Sequence, residues 1–143
     1  MSREYPERPL VGIGVVVWRG PDVLLIRRGK EPRLGQWSLP GGAQKIGETV
    51  YEGARREVRE ETGLDVEITG LIDVVDSIVP DGNGKVRYHY TLVDLAAEWR
   101  AGEPTPGGDA ASAMFVPADD LDGYDLWDET VRIIGLSAAT RTG

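Results

Sequence analysis

Residues 42–64 read GAQKIGETVYEGARREVREETGL, and the spacing within them decides how the chain is organised. Five residues separate Gly42 from Glu48. Seven more lead to Arg56-Glu57-Val58, one to Glu60-Glu61 and one to Gly63-Leu64. Thr49 can cap free helical N–H groups through its hydroxyl while Glu52, three residues on, bonds back, which predicts a helix starting there. Gly63 suits the left-handed position just past a helix C-terminus, which predicts where the helix stops. At about 100° per residue, Val50, Tyr51, Ala54 and Val58 share the arc that packs on a sheet. Glu57, Glu60 and Glu61 occupy the adjoining arc at the border with the core, where charges are partly desolvated.

Like charges at i, i+3 and i+4 repel by a few tenths of a kcal/mol per pair when exposed, and by more near a core. Something positive must offset that. On one reading, Arg55, Arg56 and Arg59 simply neutralise an ordinary charged helix. On the other, the carboxylates hold a divalent cation, for which hard oxygen ligands suit Mg²⁺ or Mn²⁺. The glycines and Glu48 in register favour the metal. Seven fixed residues and two apolar ones would meet at this spacing by chance in roughly one chain in ten million.

Composition narrows the rest. A chain of 143 residues, 41% hydrophobic and 28% charged, suits one globular core and one domain, residues 1–143. A formal charge of −8 argues against nucleic acid as a partner. Cysteine is absent, which excludes disulfides, thiolate metal sites and Cys nucleophiles and fits a cytoplasmic protein. The opening residues 1–10 are polar, and the apolar run 11–18 is far short of a membrane span, so no membrane partner and no sorting segment are expected.

Around the helix, residues 11–18 and 23–26 predict a hairpin of buried strands joined at Arg19-Gly-Pro-Asp22. Residues 36–39 predict a short strand leading into the Pro40-Gly41-Gly42 turn. Residues 65–79 and 85–97 predict two longer strands about the 80–84 turn, and 113–116 a last short one. Residues 126–139 predict an amphipathic helix with Leu126, Val131, Ile134 and Leu136 among its apolar positions. Strands alternating with two helices predict an α/β sandwich with a mixed sheet.

The spaced motif, with the preceding Trp37-Ser-Leu-Pro-Gly-Gly, resembles the complete box of the Nudix hydrolase family. The resemblance implies a Nudix-type α/β/α sandwich with a mixed central sheet. It further implies dependence on Mg²⁺ or Mn²⁺ and cleavage of a diphosphate bond in a nucleoside diphosphate joined to another group. By the same resemblance Glu57 and Glu61 are metal ligands, and Glu60 is either a ligand or the residue that orients or deprotonates water. The Gly41 carbonyl is a backbone ligand, Arg56 buttresses the glutamates, Glu48 supports the loop, and Gly42 lets phosphate approach the backbone. Many relatives carry a glutamate where Gln44 stands, which puts a charged role there in doubt. Asp109, just before the last strand, matches a late acid found in some relatives, with Asp94, Glu98 and Glu103 as rivals. His89 reads as a strand side chain.

Substrate choice lies outside the box. Arg27, Arg28, Lys30 and Arg33 crowd the loop before Trp37, either solubilising it or contacting phosphates while Trp37 stacks on a base or ribose. With Tyr88-His-Tyr90, these segments look most like the ADP-ribose pyrophosphatase-like branch, implying a small nucleotide substrate such as ADP-ribose or a related nucleoside diphosphate sugar. Nucleoside triphosphate hydrolysis is the alternative enzyme, and a non-hydrolytic nucleotide sensor the alternative of another class. Relatives often dimerise, and Val11, Leu71 and Ile78 fit either a homodimer contact or the core.

Overall fold

In the computed structural model, residues 3–31 and 33–141 are described. Seven strands form one mixed sheet: β1 (Leu10–Arg19), β2 (Asp22–Arg28), β3 (Trp37–Ser38), β4 (Gly41–Ala43), β5 (Asp65–Pro80), β6 (Val86–Ala101) and β7 (Ala110–Pro117). Helix α1 (Val50–Thr62) follows β4, and α2 (Asp128–Thr140) closes the fold after a 3-10 turn at Asp122–Tyr124. The main path runs β3-β2-β1-β6-β5, with β4 pairing β1 and β7 pairing β2. Only β1 and β6 run parallel among these pairs.

Side-chain alternation along β1 builds the two cores. Ile13, Val15 and Val17 join Ala54 and Val58 of α1 in one cluster, and Val16 and Trp18 join Ile133 and Ile134 of α2 in the other. A strand apolar on both faces thus lies between two helices. The Trp18 indole N–H donates to the Ser137 hydroxyl at 2.9 Å, tying α2 to the sheet.

Helix α1 has the expected ends. Thr49 Oγ1 accepts from the Glu52 N–H at 3.1 Å, and the Thr49 N–H donates to Glu52 Oε1 at 2.9 Å. Gly63, at φ 72°, donates its N–H to the Arg59 carbonyl. Tyr51 departs from the expected packing arc and is exposed.

Other expectations shift. The segment read as a glycine turn is the strand β4, held against β1 through Gly12↔Ala43, Ile13↔Gly42 and Gly14↔Gly41. A Cβ on Gly41 would sit 1.9 Å from the Ile13 carbonyl oxygen, so only glycine admits this approach. Strands β5, β6 and β7 outrun their sequence-based bounds, because ladder pairing with neighbours carries them into residues of low strand propensity. Leu126 precedes α2, whose buried side is Ile133, Ile134 and Ser137; Val131 and Leu136 are exposed. Val11, Leu71 and Ile78 are exposed as well, so they do not serve the core. No helix among the described residues is long and apolar enough to cross a membrane.

Candidate active site

Strand β4, the loop after it and helix α1 bring the motif residues together. Glu61, on the last turn of α1, is 5% exposed, and its Oε1 accepts from the Gly41 N–H at 2.8 Å. Burial pushes its carboxyl up to about 8, against the Gly41 N–H; the Glu57 carboxylate beside it adds to the rise and the Arg28 charge opposes it. Glu57 in turn lies against Gly42, where a Cβ would meet its Oε1 at 2.6 Å. Both glycines of β4 are therefore required by close approach, Gly41 to backbone and Gly42 to a carboxylate.

Arg56 organises the remaining charges. Its Nε and Nη2 grip Glu48 Oε2 and Oε1 at 2.9 and 2.7 Å, and Nη1 donates to Glu57 Oε1 at 2.8 Å and Glu60 Oε2 at 3.2 Å. Nη2 also donates to the Ala43 carbonyl at 3.2 Å. The forked pair with Arg56 draws Glu48 down to about 2, helped by the Lys45 N–H. Gln44 donates from Nε2 to the Glu48 carbonyl at 2.8 Å, so the uncharged residue at this position serves the loop. Glu60 differs from its two companions: its side chain is 47% exposed and reaches Arg56 and, at 3.9 Å, Lys45. The loop between β6 and β7 caps the helix from the other end, with the Thr105 and Gly107 N–H groups donating to the Thr62 and Glu61 carbonyls.

The Gly41-Gly42 strand also lines a cavity of about 460 Å³. Gly12, Gly14, Leu92 and Asp94 line its sheet side, Trp37, Tyr88, Tyr90 and Trp127 contribute aromatic rings, and Arg28 and Arg33 bring positive charge. Trp37 is set by an edge-to-face contact with Tyr124, ring centroids 5.2 Å apart.

Several sequence-named residues fall elsewhere. Arg27 is exposed and does not line the cavity. Asp109 pairs in solvent with Lys30 at 3.0 Å and lies outside both the cavity lining and the contacts of the three glutamates, because the loop backbone rather than its side chain faces α1. His89 sits in the β5–β6 ladder opposite Ile78. In the other direction, Trp127, Glu129 and Thr130 at the start of α2 line the cavity, a role that helical periodicity does not announce. Gly12 and Gly14 had a visible signal: two glycines interrupt an otherwise β-branched strand, which marks close approach.

Whether a divalent cation suits this place is a question of donors. Among the described residues no three acidic side chains already converge into a metal shell. Glu57 and Glu61 nonetheless meet, and burial first, then the neighbouring Glu57 carboxylate, raises the Glu61 carboxyl. Their hard oxygens, beside a glycine strand stripped of side chains, fit such an ion.

Comparison with known proteins places the chain. The family model described as NUDIX domain matches residues 8–134. An ADP-ribose pyrophosphatase of Methanocaldococcus jannaschii is 34% identical over 113 residues, 79% of this chain and 64% of that protein, so the chain spans less than two thirds of this relative's length. A human 8-oxo-dGDP phosphatase is 41% identical over 64 residues, 45% of this chain and 20% of that protein. The crystal structure of a MutT NUDIX hydrolase from Burkholderia pseudomallei superposes with a TM-score of 0.78 at 31% identity, covering 91% of this chain and 98% of that one. With the sheet held between two helices and the spaced glutamates gathered beside β4, the chain belongs to the NUDIX domain family.

Proposed function

We propose that this protein is a divalent-metal-dependent diphosphatase that cleaves ADP-ribose, or a related nucleoside diphosphate sugar, into a nucleoside monophosphate and a sugar phosphate. The observation that carries the reading is the meeting of Glu57 and Glu61 beside the same Gly41-Gly42 strand that lines an aromatic cavity of nucleoside size. The relative named as an ADP-ribose pyrophosphatase supports the choice of substrate.

In this reading Glu57, Glu61 and the Gly41 carbonyl would hold Mg²⁺ or Mn²⁺. The ion supplies Lewis-acid charge to phosphate oxygens and lowers the pKa of water. Arg56 keeps Glu57 in place through its fork on Glu48, so the carboxylate geometry is set before substrate arrives. Glu60, half-exposed at the edge of the cluster, is positioned to orient or deprotonate the attacking water. Arg28 lines the cavity and bears electrostatically on Glu61, which suits it to a diphosphate oxygen. Trp37 offers a ring for a base or ribose.

A substrate panel tests this directly. With Mg²⁺, ADP-ribose is expected to yield AMP and ribose 5-phosphate, and Glu61→Gln to lose most of that turnover, about 100-fold or more, while remaining folded. Triphosphates turning over far faster than ADP-ribose would move the assignment to nucleoside triphosphate hydrolysis. Tight nucleotide binding without product would move it to a sensor, a reading that the presence of Glu57, Glu60 and Glu61 disfavours.

A further inference from the structure

Asp94 is only 7% exposed on β6, yet it lines the cavity. No hydrogen bond or ion pair among the described residues involves its side chain. It is not sealed in either: among the described residues no fully buried side-chain oxygen lacks a partner, so the carboxylate oxygens open onto the cavity. The charged groups that face it are Asp73, its register partner on β5, and Glu129 and Arg132 of α2. Arg132 is committed to others, donating to Glu129 at 2.7 Å and Asp73 at 3.1 Å. Opposite Asp94 in the parallel β1–β6 register stands Gly14, where a Cβ would lie 2.2 Å from Asp94 Oδ1. The sheet has thus been cleared of a side chain to seat this carboxyl.

A buried carboxylate is acceptor-only and costs free energy until donors reach it. We propose that Asp94 is the specificity-determining residue of this cavity, its carboxylate accepting two adjacent N–H or O–H donors from the nucleoside part of the substrate. The proposal rests on the nucleotide reading above for the class of ligand. Two groups carry that chemistry, the ribose cis-diol and the two-donor edge of guanine. The adenine edge sets one donor beside an acceptor, so an adenine nucleotide would satisfy Asp94 through its diol. Asp94 makes no contact with the reacting atoms in this scheme and acts on affinity alone.

The test is calorimetric titration of ADP, 2′,3′-dideoxy-ADP and GDP, each as its α,β-methylene analogue so that no turnover occurs, into wild type, Asp94→Leu and Asp94→Asn with Mg²⁺ present. If the diol is the donor pair, wild type binds dideoxy-ADP about 10- to 100-fold more weakly than ADP, the ratio expected of charge-assisted hydrogen bonds, and Asp94→Leu binds the two alike. If the base edge is the donor pair, GDP exceeds ADP by a similar factor and that gap closes in Asp94→Leu. Either pattern supports the proposal and names the donor. Wild-type affinities in Asp94→Leu for all three, or no binding of any of them by wild type, overturn it. So does a lowered thermal midpoint in both variants, which would make Asp94 a structural residue. Absent turnover of ADP-ribose alongside intact Asp94-dependent binding would count against the hydrolytic reading alone.

Discussion

At the scale of single residues, Asp94 carries a consequence for stability that is independent of any ligand. Burial, with Asp73 next in effect, raises its carboxyl from the usual 3.8 to about 6. The unfolded chain therefore releases this proton before the folded one does. As pH rises from about 4 through 6 the native state holds more protons, so stability falls across that window and the cost is fully present above it. Asp94→Asn should gain on the order of 1–3 kcal/mol at pH 7.5 and nothing at pH 4, read from urea midpoints at the two pH values. A loss at pH 7.5 would show that the carboxylate has a stabilising partner after all. Glu61 belongs to the same kind, a buried carboxyl held above its ordinary range, whereas Glu48 is drawn to the low side by Arg56. Burial dominates the two raised carboxyls, and an ion pair with Arg56 the lowered one.

At the scale of elements, α1 is stabilised in two unequal ways. The capping box at Thr49 closes its first turn in solvent, and the Arg56 network joins its middle to the loop containing Glu48 and to the end of β4. Thr49→Ala should cost about 1 kcal/mol. Arg56→Ala should cost more, about 2–4 kcal/mol, because it leaves Glu48 and Glu57 half-buried without their cation. Urea midpoints check the order, and equal losses would mean that the network adds nothing beyond an ordinary surface pair. Arg56→Lys should recover only part, since an ammonium cannot reproduce the fork on Glu48.

At the scale of the whole molecule, the parallel β1–β6 pairing and the packing of α1 on one face bring the chain's two halves to one place. Glu57 and Glu61 arrive from the helix, Gly41 and Gly42 from β4, and the cavity wall from β1, β6 and the start of α2. A cation bound only by this assembled state stabilises it by mass action. Mg²⁺ at about 100 times its dissociation constant should add about 2.7 kcal/mol to wild type, raising the thermal midpoint, and should leave a Glu57→Gln/Glu61→Gln double variant unmoved. An equal rise in both would place the cation elsewhere.

Features that depend only on neighbours along the chain were legible before any fold was known. Thr49, Glu52 and Gly63 set the ends of α1, and the spacing of Glu57, Glu60 and Glu61 put three carboxylates on one side of it, because capping and helical period are local properties. Strand β4 was not legible, since glycines carry no propensity for a strand and acquire that role only by lying against β1. The fold, and not local spacing, set where the acids beyond the helix lie. It left Asp109 in solvent with Lys30, and it buried Asp94 opposite Gly14, a pairing of residues eighty positions apart in sequence that only the parallel register creates. Side-chain chemistry is written residue by residue, but burial and partnership are set by what the fold brings alongside, and it is these that give the carboxylates different work.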